Sequence, residues 1–201
     1  MSEYTDDWKK APKPIEKRII MCGTVDCKAG MHSFKTNMRK KAARLENKTY
    51  RSESCVCCNE ELVDWERIDK KDLDDTEYLF NKLKLEAWRK HNWEIKVKEK
   101  DLDNAKKKGL LLLKKDIRTR IEKSLGPPSN KIFQDGRQTP LSGNVIFYAQ
   151  HATATCCRKC VEEWYGIDRK KPLKKTDIKY LEELILLYVK KRFPMIKEVG
   201  I

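Results

Sequence analysis

The run Val145-Ile146-Phe147-Tyr148-Ala149, followed by Gln150-His151-Ala152-Thr153-Ala154-Thr155-Cys156-Cys157-Arg158-Lys159-Cys160, decides how the C-terminal half is read. Five apolar residues in a row, after a turn at Ser142-Gly143, predict a buried strand over 145–149. The chain then leaves the strand at Gln150 and enters a short helix over Cys156–Trp164. Strand-to-helix junctions present backbone N–H groups and side chains at a sheet edge, where ligands commonly sit. Gln150, Thr153 and Thr155 can hydrogen-bond in fixed directions, and the small Ala152 and Ala154 permit close approach. Arg158 and Lys159 fall in the first turn of the helix, beside its unpaired N–H groups, which suits an anion.

Upstream, Asp135, Arg137 and Gln138 extend this junction into one signature motif over 134–166. The expectation is a single polar pocket. Its catalytic candidates are His151, Cys156, Asp135 and Gln138, and its substrate-binding candidates are Gln150, Thr153, Thr155, Arg137 and Arg158. His151, Cys156, Cys157 and Cys160 also form a second candidate metal or thiolate site. Cys157 and Cys160 are three apart and share a helix face, whereas Cys156 is expected to face elsewhere. Without a metal, His151 is a candidate base whose pKa Arg158 would lower. The Cys-x2-Cys half of a zinc deaminase is present, but Ala152 and Thr153 stand where the His-x-Glu half would continue, which rejects that chemistry. A metal-free pocket and ordinary packing, with His151 bonding a backbone carbonyl, remain open beside the metal reading.

Cysteine also clusters near the N-terminus. Cys22-x4-Cys27 and Cys55-x2-Cys58 are two pairs separated by 27 residues. Two thiolate pairs on tight turns can meet as a tetrahedral sulfur site, which suits zinc. Asn59 tolerates the left-handed backbone such a turn needs. The ligands expected are Cys22, Cys27, Cys55 and Cys58, with His32 as the alternative and Cys57 as a spare thiol. Four ligands leave no open position, so this zinc is structural, and a segment so poor in apolar residues needs it to fold. One zinc is expected, and a second is possible at the C-terminal cluster.

The remaining pattern is helical. A helix is predicted from Asp74 to His91–Asn92, then a short strand through Trp93, Ile95 and Val97. Asp101 should cap the next helix, which Gly109 weakens and Gly126-Pro127-Pro128 stops. The last helix runs from Thr176 to Pro194, with Ile178, Leu181, Ile185 and Tyr188 as its buried stripe. Toward the N-terminus, a strand at Ile19–Met21 and a helix over Ser33–Glu46 are expected. The fold class is therefore mainly α with a small β component. It comprises an arm over 1–17, a zinc-ribbon-like module over 18–70 and an α-rich domain over 71–201.

Charge narrows the function. Lys and Arg number 45 against 31 Asp and Glu, a net +14 that attracts polyanions such as nucleic acid. The bases concentrate in blocks over 28–51, 96–123 and 169–197, while 60–77 holds nine acids and three bases and can dock a basic protein partner. No apolar run approaches a membrane span, and the first ten residues carry acids and no apolar core, so no signal peptide is read and a cytoplasmic location is expected. In a reducing compartment the eight cysteines read as metal ligands or chemistry rather than disulfides. There is no Walker loop, Rossmann glycine pattern or His-Glu-x-x-His.

From Asp135 to Tyr165 the chain resembles an uncharacterised prokaryotic family known as domain of unknown function 4186. The residues that carry the resemblance are Asp135-Gly136, Gln138-Thr139-Pro140, Gly143, the run Ala149 to Cys157, Cys160, Trp164 and Gly166. It covers about 30 residues densely and the last helix more loosely. Tyr165 departs from the pattern, which implies His there. The N-terminal half, with its Cys pairs and Leu62 to Arg67, resembles an extension carried by a subset of members. The resemblance implies no activity. Three functions follow in order: a zinc-stabilised nucleic-acid-binding protein in DNA repair, restriction or RNA processing; an enzyme, nucleic-acid-modifying or otherwise, built on the pocket at 135–160; and a scaffold for a protein partner.

Overall fold

The computed structural model describes residues 24–34, 51, 53–55, 57–132 and 135–200. The predicted arm over 1–17, the strand over 19–21 and the helix beyond Phe34 lie outside them. Seven α-helices appear among the described residues. They are α1 (Trp65–Asp69), α2 (Thr76–Leu83), α3 (Ala87–Glu94), α4 (Glu99–Ser124), α5 (Val145–Ala152), α6 (Arg158–Tyr165) and α7 (Lys175–Arg192). The β component is two isolated bridges, Asp26 with Met31 and Ser54 with Glu61. The chain is thus mainly helical, with a small Cys/His-bearing N-terminal part.

The predicted strand over 145–149 is a helix. An apolar run buried on every side reads the same as a strand or a helix, because its periodicity is hidden. Here the run continues through Ala149, Gln150, His151 and Ala152, and Asn144 caps it by accepting the Ile146 N–H at 3.0 Å. Val145, Ile146, Tyr148, Ala149, Gln150, His151 and Ala152 are all buried, so α5 is the central rod, packed on α3, α4 and α7. A helix satisfies its backbone within itself, so it can occupy this position with no partner strand.

The helix predicted over Asp74–His91 breaks in two. Glu86 takes an extended conformation (ψ 124°), its carboxylate turned inward and buried. The break frees the Leu85 carbonyl, which accepts the His32 N–H at 2.8 Å. Trp93 completes α3 rather than starting a strand, and residues 96–98 lead directly into α4.

Gly109 interrupts α4 with φ 73° and ψ 167°, a conformation open to glycine and little else. The C-terminal segment fills the gap. Leu110 N–H donates to the Lys197 carbonyl at 2.8 Å and Leu111 N–H to that of Glu198 at 3.1 Å. A Cβ on Gly109 would lie 2.3 Å from the Gly200 nitrogen. Beyond the break, Leu113, Ile117 and Ile121 line one face of α4 and meet Leu181, Leu184, Ile185 and Tyr188 of α7 in the core. Leu125 and Gly126 close α4 where the sequence places its stop.

The N-terminal part docks onto this body through aromatic rings. Phe34 and Trp65 pack on Trp164 of α6 at ring-centre distances of 5.2 and 5.5 Å. Lys90 of α3 donates to the Ala29 carbonyl at 2.9 Å.

Gly109→Ala is expected to destabilise the fold by about 2 kcal/mol or more, through the forbidden φ and the backbone clash. Urea denaturation measures the loss, and proteolysis should then release the last residues first.

Candidate functional site

Two tight turns build the N-terminal group. In the first, Asp26 and Met31 bridge around a short 3-10 turn over Cys27–Ala29, closed by Gly30 at φ 69°. In the second, Cys55 N–H donates to Glu60 and Asn59 N–H to Cys55, with Asn59 at φ 60°, the left-handed conformation expected of it. These turns bring Cys27, His32, Cys55 and Cys58 together, each offering one ligand atom within 4.8 Å of all the others. The sulfurs of Cys27 and Cys55 are 3.8 Å apart, and Cys58 Sγ lies 3.3 Å from His32 Nδ1. The set is three sulfurs and one imidazole, a donor combination that can hold a metal ion and fits tetrahedral zinc. His32, the alternative ligand, takes the fourth place, while Cys22 lies outside the described residues.

The surroundings act in opposite directions on two of the sulfurs: burial, with Cys58 and Cys55 alongside, pushes the Cys27 thiol up to about 12, whereas Cys55 is held down. Burial pushes the Cys55 thiol up, but N–H groups of Ser33, Cys57 and Cys58 aimed at its sulfur pull it down to about 6. The Ser33 and Cys57 donors lie 3.4 Å away. Glu60 Oε2 stands 3.4 Å from His32 Nε2, so a carboxylate can orient the ring for ligation through Nδ1. Cys57 is exposed and remains the spare thiol. Glu60 was legible only as one member of an acidic block, yet its carboxylate faces the ligating histidine.

The C-terminal signature residues are spread between the surface and the core, where Gln150 Nε2 donates to the Thr155 carbonyl at 3.1 Å and Thr139 Oγ1 contacts both Gln150 Oε1 and the Cys156 carbonyl. Asp135 lies at the surface, accepting from Gln138 Nε2 at 3.2 Å and facing Arg169, while Arg137 is exposed. Gln150 is fully buried, its Oε1 accepting from Arg120 Nε at 2.6 Å and from Thr139 at 3.2 Å. Thr153 and Thr155 are also fully buried and bond each other at 3.1 Å. His151 Nδ1 accepts from Trp88 Nε1 at 3.2 Å, and its Nε2 meets the Pro140 carbonyl at 3.2 Å. Both ring nitrogens are thus engaged away from the cysteines. The polar atoms at Gln150, Thr153 and His151 close the core around α5, because once that segment is helical its side chains radiate instead of lining a sheet edge.

Arg158 is likewise corrected. Its guanidinium is buried and donates to the carbonyls of Leu125, Asp168 and Lys171 at 3.0, 2.7 and 2.8 Å. It ties the end of α4 to the loop after α6 and does not face an anion. The shift at His151 has another source: burial first, then the Arg89 guanidinium, pulls it down to about 4. Tyr165, the departure from the family pattern, is fully buried and donates to the Thr153 carbonyl.

Cys156, Cys157 and Cys160 do converge, with sulfurs within 4.8 Å of one another and all three residues buried. Cys156 joins because α6 starts after it, so helical facing rules do not apply there. Cys157 is the N-cap, its sulfur accepting the Cys160 N–H at 3.4 Å. Between this group and α3 stands Arg89, which the motif reading missed. Its Nη2 donates to Cys160 Sγ at 3.0 Å, and its Nη1 donates to the His151 carbonyl at 2.6 Å and lies 3.7 Å from Cys156 Sγ. Glu86 Oε2 lies 3.3 Å from Arg89 Nε and accepts from Trp164 Nε1 at 3.0 Å. A signal was present: Glu86, Arg89 and Trp93 follow helical spacing onto the buried face of α3.

The acids of 60–77 serve the fold as well. Asp64 caps α1, Asp75 pairs with Arg67, Asp69 with Arg51 and Glu77 with Lys191. No helix among the described residues is long and apolar enough to cross a membrane.

The family described as domain of unknown function (DUF4186) matches residues 77–190, and the chain belongs to it. The match runs from α2 to the last turn of α7. It therefore includes Glu86, Arg89 and the three clustered cysteines, and it leaves out the Cys27, His32, Cys55, Cys58 group. No solved structure matches the chain.

His151 is neutral in the folded core, with a pKa below its value of about 6.5 in an unfolded chain. Its contribution is therefore complete above pH 6.5 and is lost as pH falls from 6.5 toward 4, amounting to about 3 kcal/mol at the acid end. His151→Gln keeps a donor and an acceptor without titrating. Denaturation across that window should show a shallower acid loss in the variant, and equal slopes would place no titrating proton on His151.

Proposed function

We propose that the protein is a zinc-stabilised nucleic-acid-binding protein, acting in DNA repair, restriction or RNA processing. In this reading residues 18–70 are a zinc module and residues 71–201 the helical body. The observation that carries it is the net charge of +14 together with the lysines exposed along α4. Not every base in the blocks is free for phosphate. Lys106, Lys108, Lys114 and Arg118 pair with acids. Lys107, Lys115 and Lys123 are exposed and make no ion pair with a described residue. Phosphate contacts of this kind supply affinity and register without reading sequence. The zinc module supports the reading by fixing the two cysteine turns of a polar segment beside α3 and α6.

If about six phosphates are neutralised, log affinity for duplex DNA should fall against log salt with a slope near −5. Replacing Lys107, Lys115 and Lys123 together by Ala should reduce that slope by about 3. Fluorescence anisotropy between 50 and 200 mM salt checks both, and no binding at low salt would overturn the reading.

Cys58→Ser is expected to remove zinc from the N-terminal group and to loosen the 53–61 turn. The far-UV helical signal of α1 to α7 should be retained. Elemental analysis and circular dichroism on the same preparation make the comparison.

A further inference from the structure

We propose that Cys156, Cys157 and Cys160 form a second thiolate site that binds one zinc ion, with Arg89 as its buried counter-ion. The site stands on observations independent of the N-terminal group and of nucleic-acid binding. Three sulfurs, two from the turn between α5 and α6 and one from the first turn of α6, lie within 4.8 Å of one another. Around a zinc with sulfur ligands at about 2.3 Å, tetrahedral sulfurs sit about 3.8 Å apart, so small side-chain rotations close the site. The turn is built for it. Ala154 takes φ 55°, reversing the chain so that Cys156 and Cys157 arrive beside Cys160 on the first turn of α6. The Cys160 N–H points at Cys157 Sγ, the same backbone-to-sulfur arrangement that Cys57 N–H makes with Cys55 in the N-terminal group.

The electrostatics fit a bound cation held by thiolates. Arg89 is fully buried and remains charged, and its two terminal nitrogens reach toward Cys160 and Cys156. Three thiolates around a divalent ion carry one net negative charge, and the Arg89 guanidinium that touches two of the sulfurs is shared with the Glu86 carboxylate. Glu86, fixed by Trp164, holds the opposite side of Arg89 and aims it. Binding exchanges three thiol protons, released to solvent, for the cation. Soft sulfur donors select zinc over calcium or magnesium. The low exposure of the three sulfurs separates this cluster from a reactive thiol, which needs solvent access.

His151 is not the fourth ligand, since Trp88 and the Pro140 carbonyl engage its two ring nitrogens. No further described His, Cys, Asp or Glu brings a ligand atom within 4.8 Å of the group. The cluster thus supplies three protein donors, which distinguishes it from the four-donor Cys27, His32, Cys55, Cys58 set.

The test counts zinc by elemental analysis in the full chain, purified under reducing conditions without chelator. Two zinc ions per chain are expected in the wild type, one in Cys160→Ser and one in Cys58→Ser. Equal zinc in the wild type and Cys160→Ser overturns the second site. Equal zinc in the wild type and Cys58→Ser overturns the N-terminal site and leaves this one standing. Arg89→Lys keeps the charge but not the fork, and chelator competition should show zinc at this site held about 10-fold more weakly. Should Cys160→Ser fail to fold, alkylation of the wild type decides instead. The peptide bearing residues 156–160 is expected to resist labelling until EDTA is added. Labelling independent of EDTA, or a Cys157–Cys160 disulfide in a non-reducing peptide map, overturns the proposal.

Discussion

The buried guanidinium of Arg89 is the contact on which the rest of the body depends. A charge taken out of water costs several kcal/mol unless its donors are all met, and removing one partner of such a group typically costs about 3–5 kcal/mol. Arg89 meets Glu86 on its own helix, the His151 carbonyl at the end of α5, and sulfurs on either side of the start of α6. Three helices are thereby held at one point by directional bonds. Apolar packing alone fixes how much surface is buried. It does not fix which turn of α5 faces which turn of α3, and a planar fork with several simultaneous partners does.

That point also connects the two cysteine groups. The His32 N–H bonds the Leu85 carbonyl, and Leu85 adjoins Glu86, which positions Arg89 against Cys160. The helix break at Leu85–Glu86 serves both ends. It frees one carbonyl for the N-terminal turn and lets one carboxylate swing inward. Phe34, Trp65 and Trp164 close over this link, and the Trp164 ring nitrogen returns to Glu86. The family match takes in the Arg89 end of this link and not the His32 end, and the N-terminal part docks on a centre that lies within the matched region.

Charge is used in two ways in this chain. Many acids and bases that look like interaction blocks in one dimension are spent on caps and on ion pairs between elements, such as Lys191 with Glu77 and Lys114 with Glu183. Exposed pairs of this kind add little stability. They do lower the charge available to a partner, so the bases left unpaired along α4 matter more than the block totals.

The sequence by itself determined the helical class, the stop at Gly126-Pro127-Pro128, the left-handed Asn59, and cysteine clusters suited to metal. These follow from local chemistry: missing N–H groups, permitted φ, and ligand type at short spacing. His32 was legible only as an alternative. Tertiary structure alone decided that Val145–Ala149 is helical, because an all-apolar run carries no period to read. That decision moved everything downstream. With α5 a helix, Gln150 meets Arg120 and the Thr155 carbonyl, His151 meets Trp88, and Thr153 meets the Thr155 hydroxyl. Arg158 and Arg89 look alike in sequence, two bases in helical segments. Burial made one a clamp on backbone carbonyls and the other the partner of sulfurs. Those roles depend on contacts 33 and 71 residues distant in the chain, and no local pattern encodes them.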